Sequence, residues 1–203
     1  MQLYGSLTSP YVRKIRVALA LKGVDYRFEE TIPWNDDSPV HQINPLGKVP
    51  VLKEDSGAVW YDSAVIAEVL EARVPQPALF PTETEARLQV RQLQALADGI
   101  CDAGVLIFLE RKREPAQQSE AWIARQETKI NKGVAALARH LGDRSVLVGD
   151  SMTHADIAAL CVLQWLDIRA GLRAWKDAYP ELARWVESQT RQPAFAETVP
   201  PAA

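Results

Sequence analysis

The chain has 203 residues, enough for one large or two small domains, and with 47% apolar and 24% charged residues its composition is that of an ordinary globular protein. A formal charge of −3 argues against a nucleic-acid binder, and the short basic cluster at Arg111, Lys112 and Arg113 reads as a solvated helix end. No stretch approaches about 18 uncharged apolar residues and the N-terminus carries no signal-like pattern, so a soluble cytoplasmic protein without membrane contact is expected.

The first 74 residues alternate strand-like and helix-like runs. Gln2–Tyr4 reads as a strand, Pro10 to about Leu21 as a helix and Asp25–Glu30 as a second strand. Val49–Lys53 and Ala58–Trp60 read as two more strands, ahead of a helix over Ser63–Arg73. The opening strand–helix–strand unit predicts a right-handed parallel pair. The polar, glycine-ended segment from Lys53 to Gly57 predicts an antiparallel hairpin between the next two strands. Together these make a small mixed sheet. Pro50 falls within the apolar run from Val49 to Leu52, although proline has no N–H for a sheet ladder, so it belongs at an edge or a strand entrance. A cis Val49–Pro50 bond would turn the Val49 N–H and C=O outward, where a peptide-like ligand can pair with them.

Three prolines between Val74 and Pro81 cannot continue a helix and read as an interdomain linker. Beyond it the pattern is helical: Thr82 to about Arg113, Gln117 to about Leu141, Thr153 to about Asp167, and Pro180 to about Thr190. The one strand-like candidate there is Val146–Val148. Thr153 and Asp156 form a capping box that opens a helix apolar nearly all round, which is expected at the centre of its domain. Cys101 and Cys161 read as small buried hydrophobes. His41, His140 and His154 share no spacing that would hold a metal ion.

Taken in order, Thr8-Ser9-Pro10-Tyr11 after a strand, the run from Asn44 to Leu52, Asp62-Ser63 opening a helix, a proline linker and a helical domain with its capping box resemble a cytosolic glutathione S-transferase of bacterial type. The match covers almost the whole chain. The resemblance implies a thioredoxin-like α/β domain over 1–76 that binds glutathione, a linker over 77–81, and an all-helical domain over 82–203 that supplies a hydrophobic co-substrate pocket. It also implies a homodimer, glutathione as substrate with no further cofactor, and transfer of the glutathione thiolate to a small hydrophobic electrophile. A related isomerase or dehalogenase, or a regulator or ligand carrier without activity, is the alternative.

On this resemblance Ser9 stands at the thiol-activating position, while on the residues alone it is equally a helix cap. Thr8, Tyr4 and Tyr11 are the rival hydroxyls. A serine there cannot form a mixed disulfide, which favours attack by bound thiolate over thiol exchange. Asp62 and Ser63 are expected to hold the γ-glutamyl end, and Val49 with Pro50 the peptide backbone. Lys48 and Trp34 are candidates for the glycine end. Tyr11, Val105, Phe108 and Arg111 are weaker candidates for the co-substrate pocket, with Asp98 reaching across a dimer interface.

Overall fold

In β1 (Gln2–Gly5), Leu3 and Gly5 are buried while Gln2 and Tyr4 are half-buried, the period-two alternation of a strand with one packed face. The structure, a computed structural model, describes residues 1–168 and 172–201. A short turn leads from β1 into α1 (Pro10–Leu21), with proline at its first position. β2 (Arg27–Glu30) pairs parallel to β1, as the strand–helix–strand pattern requires. The next element, α2 (Val40–Ile43), was not predicted, since four residues are too few to display a helical period. β3 (Val51–Lys53) runs antiparallel to β1, and β4 (Val59–Trp60) antiparallel to β3. The sheet order is β2-β1-β3-β4, and α3 (Ser63–Arg73) follows over the range expected. Leu3, Val12, Ile15, Leu19, Val51, Leu52, Ile66 and Leu70 are fully buried and form the core of this unit.

Gly5 sets how closely β1 approaches α1. A Cβ placed on it would lie 2.5 Å from Val12 Cγ1, and Val12 is fully buried. Gly5→Ala is therefore expected to lower stability by about 1–3 kcal/mol through overpacking, read as a fall in the urea midpoint with unchanged denaturant slope. An unchanged midpoint would show that this contact yields freely.

The proline segment packs with this first unit rather than hanging between two. Leu79 and Phe80 are buried. The buried Lys22 ammonium donates to the carbonyls of Val74 (2.7 Å) and Pro77 (2.9 Å) and pairs with Glu71 (2.8 Å), which also accepts the Leu79 N–H (3.1 Å). By its internal contacts the first unit comprises Met1–Pro81 and the described part of Arg191–Ala203, and the second is Thr82–Thr190. The helical unit thus stops at Thr190, short of the expected 203. The short helix α9 (Pro193–Ala196) is reached only beyond that point.

The second unit is helical: α4 (Thr84–Glu110), α5 (Glu120–Leu141), α6 (His154–Asp167), α7 (Trp175–Ala178) and α8 (Pro180–Gln189). All of α6 except Gln164 and Asp167 is buried, in line with its all-round apolar sequence. α4 departs from expectation in being long and apolar enough to cross a bilayer. It packs against α5 and α6 with Val90, Leu93, Ala97, Ile100 and Ile107 buried, the arrangement of a core helix. Val146–Val148 is not a strand. Its apolar side chains are buried, and the Leu147 backbone is satisfied by side chains: its N–H donates to Asp156 (2.7 Å) and its C=O lies 3.0 Å from His140 Nε2. A segment whose polar groups are met this way needs no ladder.

Candidate active site

Strand register determines which loops meet. Tyr4 pairs with Val51 across β1 and β3, and Leu52 pairs with Trp60 across β3 and β4. Extending each ladder past its last pair brings the turn after Gly5, the Val49–Pro50 pair and the Asp62–Ser63 start of α3 to one end of the sheet. β2 leaves at that end too, because Gly5 pairs with Glu30 in parallel and the Thr31 N–H donates to the Gly5 C=O (2.9 Å). In sheet order, the Trp34 loop, Ser9, Val49–Pro50 and Asp62–Ser63 therefore stand in a row. Neighbouring strands are about 4.8 Å apart, so the row from β1 to β4 spans about 10 Å, the length of roughly three extended residues.

Ser9 caps α1. Its Oγ accepts the Val12 N–H (3.3 Å) and its C=O accepts the Arg13 N–H (3.0 Å). A hydroxyl has two acceptor sites and one proton to donate, so capping leaves the proton available to an anion. The cap is therefore observed, and it does not exclude a second role for the hydroxyl. The Thr8 hydroxyl, by contrast, lies 3.0 Å from Ser6 Oγ, and Tyr4 stands within β1. Tyr11, in the first turn of α1, is half-buried with Lys14 Nζ 5.9 Å from its ring centroid.

The Val49–Pro50 bond is cis, as are Tyr61–Asp62 and Gln76–Pro77. Val49 is half-buried and makes no backbone hydrogen bond among the described residues. Asp62 caps α3, its Oδ1 accepting the N–H groups of Ala64 (2.9 Å) and Val65 (3.4 Å). That leaves Oδ2 for a cationic partner. Ser63 is buried at the first position of α3, where helical N–H groups are unpaired by geometry. Lys48 and Trp34 are both exposed, Trp34 at 59%.

Asn44 opens the run that carries the resemblance, but sequence reading assigned it no role of its own. Its Nδ2 donates to the Lys48 C=O (2.8 Å), its Oδ1 accepts the Leu46 N–H (3.0 Å) and its C=O accepts the Gly47 N–H (2.8 Å). Gly47 completes the turn at φ +60°, where a Cβ would also strike His41. Asn-Pro followed by glycine was the available signal: asparagine bonds its own backbone two residues on. Glu54 secures the neighbouring hairpin by accepting from Arg73 Nε (2.9 Å) and Trp60 Nε1 (2.9 Å), bonds that hold its carboxyl below the ordinary range, the arginine's most of all.

Residues 3–78 match the glutathione S-transferase N-terminal domain family and residues 120–188 its C-terminal domain. The chain is 42% identical to the GST-like protein YibF of Escherichia coli over the full length of both. The chain belongs to the glutathione S-transferase family. A glutathione S-transferase from Methylobacterium radiotolerans, solved in complex with glutathione sulfonate, superimposes with a TM-score of 0.95 at 42% identity, covering 100% of this chain and 95% of that one. The maleylacetoacetate isomerase of Pseudomonas aeruginosa is 32% identical over 98% of this chain and 96% of its own. The thioredoxin-like first unit and the helical second unit are the architecture of this glutathione S-transferase family. The remaining candidates lie in the helical unit. Val105 and Phe108 are half-buried on α4, with Lys112 Nζ 4.6 Å from the Phe108 ring centroid. Asp98 is half-buried on the same helix, and Arg111 at its end is paired with Glu127 (3.2 Å).

Proposed function

We propose that this protein binds glutathione along the row of loops at the end of its sheet and presents the tripeptide's thiolate to a small hydrophobic electrophile. The observation that carries this reading is the row itself. An unpaired main-chain edge at Val49 lies between a capped serine hydroxyl and a helix start bearing a carboxylate. The Val49 N–H and C=O pair with the cysteinyl residue of the ligand. On the β4 side, Asp62 Oδ2 takes the γ-glutamyl ammonium, and the Ser63 hydroxyl and N–H take its carboxylate. On the β1 side, Ser9 donates its proton to sulfur. Lys48 supplies a counter-charge for the glycine carboxylate, and Trp34 borders that end.

A free thiol of this kind ionises near pH 8.5, so only a small fraction is thiolate at neutral pH. The Ser9 O–H and the N-terminus of α1 both favour the anion. The thiolate then forms a bond to the electrophilic carbon as the leaving group departs with its electron pair, or as an activated double bond accepts the pair and is protonated. Binding and orientation supply the remaining acceleration. Tyr11, Val105, Phe108 and Arg111 belong to the co-substrate side of this reading, and Asp98 to a homodimer.

Calorimetry with glutathione tests the assignment. Asp62→Asn keeps an oxygen for the Ala64 and Val65 N–H groups but removes the charge, and is expected to weaken glutathione binding about ten- to one-hundredfold with little change in melting temperature. A folded parent that fails to bind glutathione would instead favour a regulator or ligand carrier. The isomerase relative supports a second reading, in which the thiolate adds to a double bond and leaves again. Mass analysis of products separates the two: a stable glutathione adduct marks transfer, and an isomerised product with glutathione released marks isomerisation.

A further inference from the structure

The C-terminal segment packs against the helix that Ser9 caps. α9 (Pro193–Ala196) packs on α1 within the first unit, with Phe195 fully buried and Thr198 nearly so. The Phe195 carbonyl is a hub there. It accepts from Arg13 Nη2 (3.2 Å) and from the Thr198 main-chain N–H (3.3 Å), and it shares the single Thr198 hydroxyl proton (3.2 Å) with the nearer Ala194 C=O (2.8 Å).

Arg13 is only 2% exposed, and a buried guanidinium is retained only where its charge is met by hydrogen bonds. Its main-chain N–H donates to the Ser9 C=O (3.0 Å), closing the first turn of α1 one residue after Val12 caps onto Ser9 Oγ. One residue therefore holds the backbone of Ser9 with its N–H and the C-terminal segment with its side chain.

We infer that Arg13 is a positioning residue for Ser9, and that the C-terminal segment, through the Phe195 carbonyl, fixes the direction in which the Ser9 hydroxyl donates. The inference rests on the proposed role of Ser9 toward the glutathione sulfur. A thiolate hydrogen bond weakens steeply with angle, so loosening the first turn of α1 costs anion stabilisation without removing the hydroxyl.

The experiment is the pH titration of bound glutathione thiolate by its ultraviolet absorbance, in the full-length protein, with glutathione affinity and melting temperature measured alongside. Arg13→Met is expected to raise the titration midpoint by about half a unit, a roughly threefold loss of thiolate below the midpoint, with glutathione affinity unchanged at pH values below the midpoint, where the ligand binds as thiol. Arg13→Lys, which keeps a cation able to meet the carbonyl, restores part of the shift. Thr198→Val keeps side-chain volume and the main-chain N–H, removes the shared hydroxyl that ties the Phe195 and Ala194 carbonyls together, and moves the midpoint in the same direction by less, so the question stays open to test should Arg13→Met not fold. Folded Arg13→Met or Thr198→Val titrating like the parent, while Ser9→Ala is shifted, would overturn the inference and leave the role of Ser9 standing. A Ser9→Ala titration identical to the parent would overturn both.

Discussion

Replacing Asp156 by alanine is expected to destabilise the protein by about 3–5 kcal/mol, well beyond an ordinary cap deletion of about 1 kcal/mol. The carboxylate is fully buried and accepts three donors: the Leu147 N–H (2.7 Å), the Thr153 N–H (2.7 Å) and the Thr153 hydroxyl (2.8 Å). Alanine leaves two main-chain N–H groups buried without acceptors, each costing about 1–3 kcal/mol. It also detaches the 146–148 segment from α6. Asp156→Asn keeps one oxygen but turns an NH2 toward a donor, so it falls between the parent and alanine. Burial pushes this carboxyl above the ordinary aspartate range against the pull of its hydrogen bonds. A raised folded value means that the folded state holds the proton to higher pH than the unfolded chain. The contribution of Asp156 to stability therefore declines as pH rises from below the ordinary aspartate value through its folded one. Urea midpoints of the parent and the two variants across that window check both statements. An alanine variant within about 1 kcal/mol of the parent would show that the loop finds other acceptors.

Asp156 also shows where sequence reading stops. Thr153 and Asp156 announced a cap because the box is a local pattern four residues long, whereas the bond to Leu147 depends on a loop folding back nine positions away. The sheet was legible for a similar reason. Each strand carries its own alternation, and Gly57 and Pro50 mark a turn and a strand entrance by conformational need. α2, α7 and α9, of four residues each, hold barely one turn and show no period. The return of the C-terminal segment to α1 was likewise hidden, because a Phe195 that seals a distant helix looks the same in sequence as one in any apolar run. The candidate site was readable because its parts lie at strand ends and helix starts, where Pro50, Ser9 and Asp62 each answer a backbone requirement. The α4 side chains gave no comparable signal: at Val105 and Phe108 an apolar residue at helical spacing reads the same whether it packs the core or lines a pocket.

Ser9→Ala is expected to lower the thiolate-to-thiol ratio of bound glutathione about ten- to one-hundredfold, the effect of losing one to two units of thiol acidification. The same substitution removes the acceptor for the Val12 N–H and so lowers stability by about 0.5–2 kcal/mol. Ser9→Thr, which keeps both the capping oxygen and the donor proton, is expected to restore most of both losses. Turnover of a conjugation substrate should fall less steeply than the thiolate fraction, because a more basic thiolate is intrinsically the stronger nucleophile. The deficit should also shrink as pH rises past the thiol's ordinary range, where both proteins hold a fully ionised ligand. A rate loss of constant size at every pH would mean instead that Ser9 orients glutathione without acidifying it. A thiolate titration unchanged in Ser9→Ala would return the role to Thr8 or a tyrosine. Thr8 would then have to break its contact with Ser6 Oγ, an exchange that Thr8→Val alone would expose.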